Sequence, residues 1–273
     1  MKSLLTRTLT GALFVVIVAG SLWCGSIWYG LVFLLVTLFT LREFYHLMNL
    51  TGYKPQKYTG LVLGAAIFAV SYAHASHHAS QHIYFLLLVL FPAVYITELF
   101  YRRSEPFHHI AVTVLGIIYV ALPFSLMNYM VFIPGTEGYN PAPVLAFFFL
   151  LWSFDTGAYL AGITAGRHLL WPSVSPRKTW EGIIGGLLLA ALTAVLIERY
   201  FLPSAIWVWL VSAVIAGVAG TFGDLTESTL KRSLGLKDSG NILPGHGGLM
   251  DRFDSTLLAF PVYFAWYMLS NGF

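Results

Sequence analysis

Long apolar runs alternate with short polar punctuation along the whole chain. Runs near the roughly 20 residues that cross a bilayer cover 8–24, 26–45, 59–74, 83–101, 110–133, 144–165, 181–201, 205–222 and 255–271. They predict nine transmembrane helices, hence an all-α polytopic integral membrane protein with its charged chemistry in a loop. Helix breakers fall in the gaps: Pro55, Pro106, the Pro134, Gly135, Pro141 and Pro143 group, and Pro203. Only Gly25 and Ser26 separate the first two runs. The first run, behind Lys2 and Arg7 and ending near Ala19 and Ser21, also resembles a cleavable signal. Trp23 before Cys24 argues against a lipoprotein signal, and retention as a first transmembrane helix is expected because the topology below includes it.

Composition agrees with this pattern. Of 273 residues, 58% are hydrophobic and 10% charged, far below the charged share of about 25% in soluble domains. No linker, low-complexity run or repeat divides the chain. One membrane domain, 1–273, is expected, with helices of weak motif content over 1–143 and a catalytic half over 144–273. The lone Cys24 excludes an intramolecular disulfide.

Charge then fixes orientation. With nine spans, the N-terminus and the segments after spans two, four, six and eight share one side. Of the 15 Lys and Arg residues, all but Arg199 fall on that side. Cytoplasmic segments carry such an excess, so the N-terminus and the polar loop 223–255 are expected in the cytoplasm, across the inner membrane of a bacterium.

Four polar groups need weighing. His74, His77, His78 and His82 have helical spacing that suits a metal, but no acid or cysteine joins them, and a wet loop is the stronger reading. His108 and His109, behind Arg102 and Arg103, read as headgroup-facing residues. Asp155 lies mid-span in WSFDTGAYLAG, where a carboxylate is costly and generally functional; the alternative is a helix contact with Ser153, Thr156 or Tyr159. In SVSPRKTWEG, Pro176 stops any helix, Thr179 is a natural N-cap and Glu181 enters the first turn. Ser175, Arg177, Lys178 and Thr179 form either a phosphate grip or an ordinary basic membrane margin.

The segment 223–255 concentrates the remaining charge: Asp224, Glu227, Asp238, Asp251 and Asp254 against Lys231, Arg232, Lys237 and Arg252, with His246 in a Pro-Gly-His-Gly-Gly turn. Carboxylates hold hard cations, bases hold phosphoryl oxygens, and glycines admit close backbone approach. Asp224, Glu227, Ser228 and Lys231 share one helical face, a pattern that suits a cation and a phosphate on one substrate. A solvated helix end with ion pairs such as Glu227–Lys231 is the plainer alternative. Asp251 and Asp254 repeat the i, i+3 spacing, with helix capping as their plain role.

The run STLKRSLGLKDSGNILPGHGGLMDRFD, Ser228–Asp254, resembles the signature of the phosphatidate cytidylyltransferases (CDP-diacylglycerol synthases). Three upstream blocks resemble the same family: WSFDTGAY at Trp152–Tyr159, SPRKTWEG at Ser175–Gly182 and GDLTES at Gly223–Ser228. Arg177 departs from the lysine equally expected there but keeps the charge. The resemblance covers the C-terminal half and implies the reaction CTP plus phosphatidate to CDP-diacylglycerol plus pyrophosphate. It implies Mg²⁺, in a one- or two-metal site, on Asp224 and Asp251. It implies phosphate contacts from Lys231, Arg232, Lys237 and Arg252, with a pyrophosphate end shaped by His246, Gly247 and Gly248. Glu227, Ser228, Asp238, Asp254 and Asp155 complete the substrate site, and Ser175, Lys178 and Thr179 face the lipid headgroup or the triphosphate. Expected partners are CTP, phosphatidate and membrane lipid, with a homodimer open and no nucleic acid. A CTP-dependent kinase of the dolichol or phytol type is one alternative, disfavoured by the full signature. A transporter using Asp155 is another. The D-G-x-x-A-R motif of the CDP-alcohol phosphotransferases is absent.

Overall fold

The structure, a computed structural model, describes residues 2–133, 138–236, 239–240 and 247–272, with side chains from residue 10 onward. It is almost wholly helical, an all-α polytopic membrane protein with seven helical segments long and apolar enough to cross a bilayer among the described residues. Helices lie along all nine predicted apolar runs, but those of runs 8–24 and 255–271 are not among the seven. They divide into two compact units, one of 1–139 with 234–253 and one of 140–233 with 254–273.

In the first unit, α1 (Lys2–Trp23), α2 (Ser26–Leu50) and α3 (Lys57–Ala75) are followed by a 3₁₀ turn (Gln81–Tyr84), α4 (Phe85–Leu90) and α5 (Ala93–Tyr101). The expected single span 83–101 is thus interrupted at Pro92, which has no N–H to continue the helical ladder. Next come α6 (Pro106–Gly116), a π turn (Ile117–Ala121) and α7 (Leu122–Val131). The π turn directly precedes Pro123, whose ring and missing donor disturb the α ladder one turn back.

Polar side chains join these helices in the absence of bulk water. Tyr45 on α2 donates to the Thr113 carbonyl on α6 at 2.8 Å. Tyr29 donates to Asn128 Oδ1 at 2.8 Å, and Asn128 Nδ2 donates to Ser71 Oγ at 2.7 Å, linking α2, α7 and α3. All three side chains are buried, so each bond also avoids an unsatisfied polar atom in an apolar interior.

In the second unit, α8 (Ala142–Ala165) leads into a hairpin of β1 (Leu169–Trp171) and β2 (Ser175–Thr179), then α9 (Trp180–Tyr200) and α10 (Ile206–Ser233). The hairpin was not predicted; SVSPRKTWEG reads as loop because Pro176 and the charges mask a two-residue alternation. α8 and α9 meet through small residues: a Cβ on Gly157 would lie 2.7 Å from the Gly185 carbonyl oxygen. α10 has 28 residues, about 42 Å at 1.5 Å per residue. It outruns the ~30 Å apolar core of a bilayer, so its polar end projects past the hydrocarbon. α11 (Met250–Ser270) starts in the first unit, where Phe253 stacks edge-on to Phe14 and Phe124. It continues in the second unit, where Tyr263 donates to the Pro143 carbonyl at 2.9 Å.

Candidate active site

Two polar constellations emerge, one in each unit. In the second unit a cavity of about 240 Å³ is walled by α8, β2, α9 and α10. Asp155 and Tyr159 line it from α8, Arg177, Lys178 and Thr179 from β2, and Thr221 and Asp224 from α10. The three motif blocks WSFDTGAY, SPRKTWEG and GDLTES therefore converge on one space, although they lie tens of residues apart in sequence.

Local structure explains how each side chain gets there. Thr179 ends β2 and caps α9, its Oγ1 accepting from Gly182 N at 3.1 Å. Glu181 in the first turn of α9 reaches back to the loop after α8. It accepts from Arg167 N at 3.1 Å and His168 N at 3.2 Å and pairs with His168 Nδ1 at 2.5 Å. These bonds tie the start of the hairpin to the first turn of α9 and so set where Lys178 comes to lie. Lys178 Nζ meets Asp224 Oδ2 at 2.6 Å, with the two side chains 26% and 31% exposed. Ser228 Oγ donates to Asp224 Oδ1 at 3.1 Å, one turn along α10. Asp224 thus presents a hydrogen-bonded, partly exposed carboxylate to the cavity, already compensated by one cation.

One turn further, Glu227 is wholly buried and holds Lys231 Nζ at 2.6 Å, with Lys231 8% exposed. The plain reading of this pair as a solvated helix end is incorrect: α10 stays packed here, and its charges are buried together. Arg232 next to it is exposed. Asp254, in the same unit, accepts from Ser255 N at 2.6 Å. Ser175 stands at the start of β2, paired in register with Trp171.

In the first unit the organiser is Asp251, in the first turn of α11. Its Oδ2 accepts from Gly248 N at 2.7 Å and from Ser239 N and Oγ at 2.9 Å. Arg252 follows it, half-buried. Beneath lies a residue that the sequence reading passed over. Glu43 on α2 is 5% exposed, and its Oε2 accepts from Met250 N at 2.7 Å and faces Ser239 Oγ at 3.5 Å. A Cβ on Gly240 would lie 2.7 Å from Glu43 Oε1, and one on Gly248 would collide with Oε2. Gly240 and Gly248 let the chain lie on this carboxylate. Gly247 takes φ +84°, a left-handed conformation natural to glycine. The signal for Glu43 was present: an acid inside an apolar run, the same anomaly that drew attention to Asp155. Lys237, Asp238 and His246 lie outside the described residues.

The histidine loop has local partners. The His74 ring packs edge-on against Tyr84, and His78 Nδ1 lies 2.8 Å from Ser76 Oγ. His109 is buried and accepts from Lys54 N at 3.1 Å through Nδ1, so it is structural rather than headgroup-facing. His108 is exposed and meets Glu105 at 3.0 Å.

The chain matches the model of the cytidylyltransferase family over residues 5–270. The chain belongs to that family. A phosphatidate cytidylyltransferase of Staphylococcus epidermidis (strain ATCC 35984) is 33% identical over 259 residues, 94% of this chain and 96% of that protein. One of Rickettsia typhi is 35% identical over 190 residues, 67% of this chain and 80% of that protein. One of Staphylococcus aureus (strain COL) is 33% identical over 94% of this chain. This cytidylyltransferase is accordingly an enzyme of the nucleotidyltransferase class, embedded in a membrane and belonging to phospholipid biosynthesis.

Proposed function

We propose that the enzyme joins CTP to phosphatidate, giving CDP-diacylglycerol and pyrophosphate. The observation that carries this is the convergence of Asp155, Lys178 and Asp224, from three separate motif blocks, on one partly exposed cavity in a membrane-embedded cytidylyltransferase. The lipid phosphomonoester, with a second pKa near 6, is already a nucleophile at neutral pH. One of its oxygens attacks the α-phosphorus of CTP, the bond from that phosphorus to the bridging oxygen breaks, and pyrophosphate leaves with the electron pair. No strong base is needed. The protein's task is to hold two anions in line and offset their repulsion.

Lys178 is suited to this, being a mobile point charge paired with Asp224 and able to exchange that partner for a phosphate oxygen. Arg177 adds a second donor from the same strand. The buried Glu227–Lys231 pair steadies the polar end of α10, and the exposed Arg232 and the partly buried Arg252 would supply further positive charge for phosphates. Asp224 and Asp251 would hold Mg²⁺. The fit rests on Asp224, an oxygen donor about a third exposed in a place that already accommodates a cation. When bound, such an ion lowers the charge on the phosphates and on the departing pyrophosphate. Asp155 would position Lys178, and Thr179 would set the height of the strand that carries it.

In this proposal both units form one catalytic domain, and the active side faces the cytoplasm of a bacterium, where CTP is made. The excess of Lys and Arg on that side supports the orientation. The test is product analysis of purified enzyme given labelled CTP and phosphatidate. Pyrophosphate and CDP-diacylglycerol are expected; release of CDP with a phosphorylated lipid would mean a kinase.

A further inference from the structure

A second polar cavity, of about 260 Å³, lies in the first unit between the end of α2, the start of α3 and the signature loop. Arg42, His46 and Asn49 line it from one face of α2, at i, i+4 and i+7. Lys57, the first residue of α3, lines it from across the turn, where the positive end of that helix dipole adds to its charge. Ser239 and Gly240 close the remaining side. Among the described residues the side chains of Arg42, His46 and Lys57 have no ion-pair or hydrogen-bond partner; Lys57 Nζ only stands 5.7 Å from the Tyr58 ring.

Glu43 also borders the cavity, but its Oε2 is engaged by Met250 N and it is buried under the loop. Two fixed positive charges and a histidine therefore converge on one concave space whose lining holds a single acid, Glu43, with one of its oxygens engaged by Met250 N. The space shares its Ser239 wall with Asp251, whose Oδ2 accepts from both the amide and the hydroxyl of that serine. A basic membrane margin would explain the charges but not their convergence on one concavity against the signature loop.

We propose that this cavity is a phosphate-binding subsite of the enzyme, an inference that rests on the cytidylyltransferase reading above. Arg42 and Lys57 bind the anion, His46 and Asn49 orient it, and the Ser239–Gly240 backbone limits its depth. The phosphate comes either from the pyrophosphate end of the nucleotide or from a lipid headgroup, since both present the same dianionic oxygens.

The test uses full-length enzyme in phosphatidylcholine nanodiscs and compares wild type, R42Q/K57Q and the charge-keeping R42K/K57R. Pyrophosphate affinity is read by calorimetry, and KM is read separately for CTP and for phosphatidate at fixed surface density. Loss of two charge-assisted contacts predicts a weakening of roughly tenfold or more in R42Q/K57Q, with R42K/K57R near wild type. A weaker pyrophosphate affinity with raised KM for CTP assigns the nucleotide end. A raised KM for phosphatidate alone assigns the headgroup. If neither moves in R42Q/K57Q, or if R42K/K57R falls equally, the subsite is wrong. Should wild type make no CDP-diacylglycerol, the proposed function fails instead. Calorimetry with pyrophosphate and with phosphatidate-bearing vesicles then judges the subsite: binding of either that R42Q/K57Q loses supports it, and equal binding of both overturns it.

Discussion

Two carboxylates carry most of the local argument. Asp224 is tied to Lys178 at 2.6 Å, and each charge is incompletely compensated without the other. Because both side chains remain about a quarter to a third exposed, removal of Lys178 should affect chemistry more than folding. Lys178→Ala is expected to lower kcat/KM by roughly ten- to hundredfold, the worth of a charge-assisted hydrogen bond, while the melting temperature stays close to wild type. Steady-state kinetics and a thermal melt in detergent check this. Glu43 should behave in the opposite way. Glu43→Ala leaves Met250 N buried without its acceptor, at a cost of about 1–3 kcal/mol, and frees the signature loop. Glu43→Gln keeps an acceptor oxygen and should recover most of the stability. An Ala variant as stable as the Gln variant would contradict the role assigned to this residue. Sequence alone exposed Asp224 through its motif and helical face. It did not expose Glu43, because an acid in an apolar run names no partner, and this partner lies some two hundred residues away.

Among the elements, apolar run length was a sound guide because a bilayer demands continuous helix wherever the backbone meets lipid. That constraint made α2, α3, α8, α9 and α10 legible before any coordinates. It is silent outside the hydrocarbon, where the β1–β2 hairpin reads as loop; within the span 81–101 it does not show the break at Pro92 between α4 and α5. The Thr179 cap was legible, since a β-region threonine followed by Glu181 is a local signal that needs no tertiary context. Thr179→Ala is expected to remove about 1 kcal/mol of stability from the start of α9 and to lower activity by shifting Lys178. Thr179→Ser should keep both, as measured by melting and turnover. Packing gives a sharper contrast. Gly157→Leu places a side chain where even a Cβ would meet Gly185 and Leu189, and overpacking of this kind costs about 1–3 kcal/mol. Gly20→Ala meets nothing within 4 Å and should leave the melting temperature unchanged or slightly higher.

At the scale of the whole molecule, two expectations follow from the distribution of charge and from the chemistry. In a Cys24→Ser background, Ser104→Cys should react with a membrane-impermeant maleimide only when the cytoplasmic face is opened. Ala205→Cys, in the short segment between α9 and α10, should react in intact cells. The reverse pattern would invert the enzyme and remove CTP from the proposed active side. The central claim is that Asp224 and Asp251, each held by neighbours that define its direction, serve one cytidylyl transfer that needs a divalent cation. Pyrophosphate release from CTP and phosphatidate by purified enzyme, with Mg²⁺ or with EDTA, tests it most directly. The account predicts release by wild type, none with EDTA, and a loss of at least about a hundredfold in Asp224→Asn and Asp251→Asn. Undiminished release by either variant, or in EDTA, would contradict it.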